Sequence, residues 1–199
     1  HMKYEKFLSA LLSGNTDKYQ PIDRYMEKYD ISFLSDNFAV VIFCIKNANN
    51  VFNDTENGDT DIYNDNDTDT AAFIIKNVFE ELMAAKHKGY VFEYNCLISA
   101  IISISDSNMS TWESDISAAL EKTNSFVTEN FNFSFTAGTS NIYSGISQLP
   151  MAYGEANKII NYSIYMKNTS HISYNEAEMP VKNSELIVDL VKKYINENY

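Results

Sequence analysis

Apolar and polar positions along this chain switch between the helical and the strand period. Residues 4–14 carry apolar side chains at helical spacing and end at a glycine, a common helix stop. A second short helix is predicted over 22–29. The run 38–45 is unbroken, apolar and rich in β-branched and aromatic residues. These features predict a strand that is buried on both faces.

Residues 47–70 have no periodicity and are acidic and polar. Three aspartates alternate there as in a calcium-binding loop: Asp65, Asp67 and Asp69. The spacing of an EF-hand requires a glycine and a glutamate where this sequence has Thr70 and Lys76. We therefore expect a mobile, solvated loop here, with an ion site as the alternative.

The helical period returns from Thr70 onward. Apolar residues recur at steps of three and four: Ala71, Ile74, Ile75, Val78, Phe79, Leu82 and Met83. Cationic residues follow over 86–88, which suits the negative end of a helix dipole, and Gly89 is expected to close the helix. His87 is therefore predicted to be a helix-end cation.

A tight hairpin is predicted at the centre of the chain. Strands over 90–94 and 97–105 flank the pair Asn95-Cys96, which is a weaker turn signal than Asn-Gly. Because hairpin strands are antiparallel, the sheet cannot be entirely parallel.

A helix is predicted over 109–130, with Ser110 or Thr111 as its N-cap. Its predicted inward side chains are Ile116, Leu120 and Phe126.

The strictly alternating run 131–138 predicts a half-buried strand. Ser147 is expected to cap a long helix, and a short strand follows over 171–174. The apolar positions of that helix are Tyr153, Ala156, Ile159, Ile160 and Ile164. The full order of elements predicts an α+β fold of the ferredoxin-like or nucleotide-cyclase palm kind. Its sheet is mixed and mostly antiparallel, with helices packed on it.

The composition fits one globular domain. The chain has 199 residues, of which 45% are hydrophobic and 14% aromatic. Its formal net charge of -12 argues against this chain holding a nucleic acid by itself. It has neither a spanning apolar stretch nor a secretory signal, so a cytoplasmic location without membrane contact is expected. His1-Met2 reads as a cloning scar.

The two cysteines, Cys44 and Cys96, lie in apolar runs. They are predicted to be buried free thiols rather than a disulfide or a metal-binding pair, which agrees with a reducing compartment.

Three stretches in the second half resemble the degenerate GGDEF-like domain of bacterial AraC-family regulators of the YesN type. They are Phe133-Ser134-Phe135-Thr136-Ala137-Gly138-Thr139-Ser140, Ile146-Ser147-Gln148-Leu149 and Ala152-Tyr153-Gly154-Glu155-Ala156. The closing His171-Ile172-Ser173-Tyr174 is similar to the end strand of that family. The resemblance spans roughly 38–178.

The segment 186–199 looks like the first helix of an AraC-type helix-turn-helix domain, ending Tyr194-Ile195-Asn196-Glu197-Asn198-Tyr199. An ordinary amphipathic helix is the alternative interpretation. The resemblance implies that the chain stops where its DNA-binding part begins. Both recognition helices would then be missing, so the chain should not read DNA bases.

The resemblance also implies that catalysis is absent. Active GGDEF domains hold metal ions with carboxylates at the end of the first strand and in the central hairpin. The first strand here ends at Lys46. The hairpin signature aligns with Glu93-Tyr94-Asn95-Cys96-Leu97, in which two glycines and two acidic residues are replaced. Glu93 alone cannot build such a site.

No other catalytic, cofactor-binding or metal-binding residues are predicted. The histidines His1, His87 and His171 have no metal-ligand spacing, and neither a Gly-x-Ser-x-Gly elbow nor a phosphate-binding glycine loop is present.

The sequence therefore predicts a non-enzymatic signal-coupling or dimerisation domain of an AraC-family DNA-binding transcription regulator. It comprises a helical N-terminal extension over 1–37, the GGDEF-like domain over 38–178, and a linker with the first helix over 179–199. Expected partners are DNA through the missing domain, a second copy, an upstream sensor or receiver, or a small-molecule effector. The alternative is a nucleotide- or small-ligand-binding module that has lost cyclase activity.

Overall fold

The computed structural model describes residues 2–46, 65–166 and 171–173. In chain order its helices and strands are α1 (Met2–Ser13), α2 (Ile22–Lys28), β1 (Asn37–Lys46), α3 (Asp65–Met83), β2 (Lys88–Tyr94), β3 (Leu97–Ser103), α4 (Trp112–Phe131), β4 (Ser134–Thr139), β5 (Tyr143–Ser144), α5 (Leu149–Met166) and β6 (His171–Ser173). Single 3-10 turns lie at Asp17–Tyr19, Asp106–Asn108 and Ile146–Gln148.

The strands form one sheet in the order β2-β3-β1-β4-β6, and β5 pairs with the start of β1. Pairing from β2 through β4 is antiparallel, whereas β6 runs parallel to β4. The succession β1-α3-β2-β3-α4-β4 in this spatial order is the split arrangement of ferredoxin-like folds. Helix α5 and strand β6 extend it. The predicted α+β class and mixed, mostly antiparallel sheet are confirmed.

Strand β1 lies between β3 and β4 and is buried on both faces, as predicted. Its side chains alternate between two hydrophobic cores. Ala39, Val41 and Phe43 face the first core, and Phe38, Val40 and Ile42 face the second.

The first core is closed by α3 and α4. Their buried apolar side chains are Ala71, Ile75, Phe79 and Met83 from α3, and Ile116, Ala119, Leu120 and Val127 from α4. The second core is closed by α1 and α5. Their buried apolar side chains are Phe7, Leu8, Ala10, Leu11 and Leu12 from α1, and Leu149, Ala152, Ala156 and Ile160 from α5. The N-terminal helix thus forms part of one face of the sheet.

Helix α3 differs from the prediction at both ends. It begins at Asp65, so the polar residues before Thr70 open a helix, which acidic residues near a helix N-terminus favour. It ends at Met83, and Gly89 lies inside β2 opposite Ile102 rather than closing a helix.

Three details of the second half also correct the sequence interpretation. Phe126 is 41% exposed, and Val127 takes the inward position of α4 instead. The run 131–138 is not one half-buried strand, because Phe131 ends α4 and β4, which pairs with β1 and β6, is buried on both faces. Ser147 lies in a 3-10 turn, and α5 starts two residues later.

Both cysteines are free thiols, as predicted, but they are not both buried. Cys44 is half-buried, and Cys96 is exposed because it occupies the hairpin turn.

Two predicted segments lie wholly or mostly outside the described residues. They are the acidic loop predicted over 47–70, of which the structure describes 65–70, and the helix predicted over 186–199. Within the described ranges, no helix combines the length and hydrophobicity that crossing a membrane requires.

Gly138 allows α5 to approach β4 closely. A β-carbon at Gly138 would lie 2.9 Å from the Ala156 carbonyl oxygen and 3.0 Å from the Ile160 backbone nitrogen. Both atoms are backbone, so the helix would have to move away from the sheet.

We expect Gly138→Ala to lower the free energy of unfolding by about 1–3 kcal/mol, the usual cost of overpacking. Gly154→Ala is the matched control, because a β-carbon there has no neighbour within 4 Å. Its position inside α5 should make the substitution stabilising by about 0.5–1 kcal/mol. Urea unfolding of both variants measures the difference, and equal stability of the two would contradict the close approach.

Candidate functional site

The β2–β3 hairpin contains the positions that the resemblance equates with a cyclase signature. Tyr94 pairs with Leu97, and the two turn residues Asn95 and Cys96 have φ of 53° and 60°. Two consecutive left-handed residues match a type I′ turn, the usual two-residue hairpin connection. The predicted hairpin is confirmed.

The hairpin is held against α5 on the second core's side of the sheet. The ring of Tyr94 meets that of Tyr153 edge-on at a centroid distance of 4.9 Å. Burial raises the pKa of Tyr153, although a hydrogen bond with the Asn95 side chain acts in the opposite direction. The strand leading into the turn is therefore held against α5 by an aromatic contact.

Lys46 lies at the same end of the sheet as this turn. The register pairs Phe43 with Ile98, and the exposed Lys46 follows at the end of β1 opposite Ser134. No group of three or more metal-ligating side chains occurs in the described part of the chain.

The residues that carry the family resemblance in β4 and α5 have structural roles. The Ser140 hydroxyl accepts a hydrogen bond from the Val40 backbone N–H at 2.9 Å. The Glu155 carboxylate accepts one from the Asn141 N–H at 2.7 Å. Together with Gly138, these contacts join β1, β4 and α5.

A cavity of about 370 Å³ opens between α1, α3 and the β2–β3 hairpin. Apolar side chains line most of it: Ala72, Phe73, Val91, Phe92 and Ile98. Its polar lining consists of Glu5, Asp69, Lys76, Asn77 and Glu93. A volume of this size is in the range of small-molecule sites.

Four polar side chains connect the three elements around this cavity. Lys76 lies 3.5 Å from a Glu5 carboxylate oxygen and donates a hydrogen bond to the Tyr4 hydroxyl. One turn further along α3, the Glu80 carboxylate accepts a hydrogen bond from the Val91 N–H at 2.7 Å. The network links α1 through α3 to β2.

Burial would lower the pKa of Lys76, but the hydrogen bond to Tyr4 and the carboxylates of Glu80 and Glu5 outweigh it and raise the pKa. Burial raises the pKa of Glu80, in spite of its hydrogen bond with Val91 and the nearby Lys76. Lys76 is therefore a charged group that already has partners.

His87, predicted to be a helix-end cation, lies four residues after the last residue of α3, and its side chain is buried. Its Nδ1 accepts a hydrogen bond from the Ser105 N–H at 3.1 Å, and its Nε2 lies 3.2 Å from a carboxylate oxygen of Asp115. An unprotonated Nδ1 places the ring proton on Nε2, which donates to Asp115. Because both nitrogens are engaged, the imidazole joins the end of β3 to the start of α4 and is not a free base.

Asp115, in the first turn of α4, accepts hydrogen bonds from three side chains. Besides His87, it accepts hydrogen bonds from Lys86 at 2.5 Å and Thr111 at 2.7 Å. Burial alone would raise its pKa, but the hydrogen bonds from Lys86, Thr111 and His87 outweigh burial and lower it.

The sequence interpretation missed both polar clusters. The signal available for the first was the pair Lys76 and Glu80, of opposite charge, spaced four residues apart beside the apolar stripe of α3. Nothing comparable marked Asp115, because Lys86 and His87 are distant from it in sequence and only Thr111 lies one turn away.

No family model matches this sequence, and no curated protein matches it.

We expect Asp115→Asn to lower the free energy of unfolding by about 1–3 kcal/mol at neutral pH, because a buried imidazole loses its charged acceptor. Because folding lowers the pKa of Asp115, its carboxylate contributes fully to the free energy of unfolding above pH 3.8, the ordinary pKa of the group. That contribution diminishes as the pH falls below this value. The stability gap between the wild type and the variant should therefore narrow as the pH falls below about 4. Chemical denaturation between pH 3 and 7 measures the gap.

Asp106→Asn is a suitable control for that experiment, since Asp106 is an exposed carboxylate with one weak contact, 3.5 Å from the Asn37 amide. A gap that is constant with pH would show that the carboxylate charge of Asp115 is unimportant.

Proposed function

We propose that this chain is a non-catalytic regulatory domain of an AraC-family transcription regulator, acting by signal coupling or dimerisation. Its DNA-binding helices would follow Tyr199, and its place of action would be the bacterial cytoplasm. The proposal rests on the resemblance of the β4–α5 region to GGDEF-like domains of such regulators, in a chain with the matching order of elements.

The β2–β3 hairpin is the observation that best supports the absence of catalysis. Its backbone carries Glu93 and Tyr94 where a nucleotide would need glycines, and its turn is held by Tyr153. Asn95 and Cys96 stand where metal-binding carboxylates would be required. Lys46 adds a positive charge at the same end of the sheet.

A coupling role also agrees with how α1 is packed. The N-terminal helix is buried against the sheet and linked through Lys76 to α3. A change delivered from an upstream domain would reach the sheet through this helix. The network of Tyr4, Glu5, Lys76 and Glu80 offers such a route to the hairpin.

The second candidate function is a small-ligand-binding module, which the cavity beside the hairpin favours. Three of its four ionisable lining residues are acidic: Glu5, Asp69 and Glu93. A triphosphate requires cationic or glycine-rich surroundings, so this cavity is unsuited to a nucleotide.

We expect the chain to form no cyclic dinucleotide or cyclic mononucleotide from GTP or ATP with magnesium. Introducing Asn95→Asp and Cys96→Glu together should not create activity, because Lys46 stays at the first-strand position. Chromatography of the nucleotide products tests both proteins, with an active diguanylate cyclase as the positive control. Product from the unmodified chain would refute the non-catalytic proposal.

We also expect a chain extended by about 100 residues, the length of two helix-turn-helix units, to bind the upstream region of its own gene specifically. Its affinity there should exceed that for unrelated DNA by about 10³-fold or more. The 199-residue chain should show no such preference. Fluorescence anisotropy at a fixed salt concentration compares the two. Specific binding by the short chain, or none by the long one, would contradict the AraC assignment.

A further inference from the structure

We propose that the cavity between α1, α3 and the β2–β3 hairpin is a binding site for a small organic amine with an apolar, preferably aromatic, body. This inference goes beyond the regulatory role proposed above and does not depend on it, because amine binding is a property of this domain alone. Three properties of the cavity support it: the exposed ring at its mouth, its apolar lining and its charge.

The mouth of the cavity presents an aromatic ring to solvent. Phe73 is 67% exposed, the largest exposed fraction among the large apolar side chains that the structure describes. It lies on α3 between Asp69 and Asn77, one turn away in each direction, and all three residues line the cavity. An exposed ring next to a carboxylate is a favourable environment for an ammonium group, because the face of the ring and the carboxylate both attract a cation.

The inner part of the cavity is apolar. Val91 and Ile98 come from the paired strands β2 and β3, and both are almost fully buried. Ala72, a small residue on α3, leaves room above them. A hydrocarbon or aromatic body would displace water from these side chains, which is favourable in proportion to the apolar area covered.

The formal charge of the residues that line the cavity favours a positively charged ligand. Glu5, Asp69 and Glu93 are acidic and Lys76 is the one basic lining residue, a net of -2. Lys76 is already engaged by Glu5 and Tyr4, so its ammonium is a poor receptor for an anionic ligand. Glu93 and Asp69 are both exposed and line the cavity from different elements, Glu93 from β2 and Asp69 from α3. A ligand ammonium between them would meet a carboxylate from either element.

The test uses 2-phenylethylamine as the probe, with 2-phenylethanol and 3-phenylpropionate as neutral and anionic analogues of similar shape. Binding is followed by two-dimensional amide NMR of the intact 199-residue chain. We expect a Kd on the order of 1 mM for the amine, as for a ligand of its size. The two analogues should bind about tenfold more weakly or not at all, because they lack the positive charge. The shifted amides should include those of Ala72, Val91 and Ile98.

Two variants test the assignment to these residues. Asp69→Asn combined with Glu93→Gln should weaken amine binding about three- to tenfold, the range expected for exposed charges. Glu121→Gln combined with Glu129→Gln is the matched control, since it removes the same charge from exposed positions of α4 and should leave the affinity unchanged. Ala72→Leu should weaken amine binding by narrowing the cavity while every charge is kept.

Equal binding of the anionic analogue, or equal weakening by the α4 control, would overturn the proposal. Absence of any amine-induced shift at 10 times the expected Kd would do the same. The DNA-binding experiment on the extended chain is separate, so failure of one proposal does not imply failure of the other.

Discussion

The burial of β1 on both faces is the constraint on which the rest of the structure depends. Ten residues in the centre of the sheet are nearly all apolar, and their alternation delivers one row of side chains to each of two cores. A strand with two apolar faces requires a cover on each, and α3 with α4 supplies one while α1 with α5 supplies the other. The position of every other strand follows from pairing with β1 directly or through β3 or β4.

Side chains that accept hydrogen bonds from backbone N–H groups also hold these layers together. Ser140, Glu155 and His87 accept hydrogen bonds from the N–H groups of Val40, Asn141 and Ser105, respectively. Such donors are costly when buried without a partner. Two buried hydroxyls, of Ser99 and Thr136, have no hydrogen-bond partner among the described residues. They lie within the central strands, where a small polar side chain packs as an apolar one would.

Periodicity predicted the elements of this fold better than their ends. The unbroken apolar run of β1 and the stripe of α3 could be identified because their burial follows directly from local spacing. The end of α3 could not be identified from the sequence, because a glycine such as Gly89 terminates a helix in one context and pairs within a strand in another. The prediction that Phe126 points inward was wrong for a similar reason. A helix with apolar residues at 126 and 127 can be rotated either way, and its packing against α3 and β4 decides which of them is buried. The candidate cavity joins residues distant in sequence, so no local pattern revealed it, whereas the replacements at 93–96 could be read directly against the hairpin.

The hydrogen bond between Glu80 and Val91 has a consequence for association. Strand β2 is an edge of the sheet, and on its outer side it offers backbone donors to any extended segment that approaches. The Glu80 carboxylate occupies one of these donors in the middle of the strand, and α3 lies alongside it. An incoming strand would have to displace a half-buried carboxylate and then leave its charge without that partner. Edge-to-edge pairing of strands through β2, the common route to fibrous aggregates, is therefore opposed by a contact within the chain.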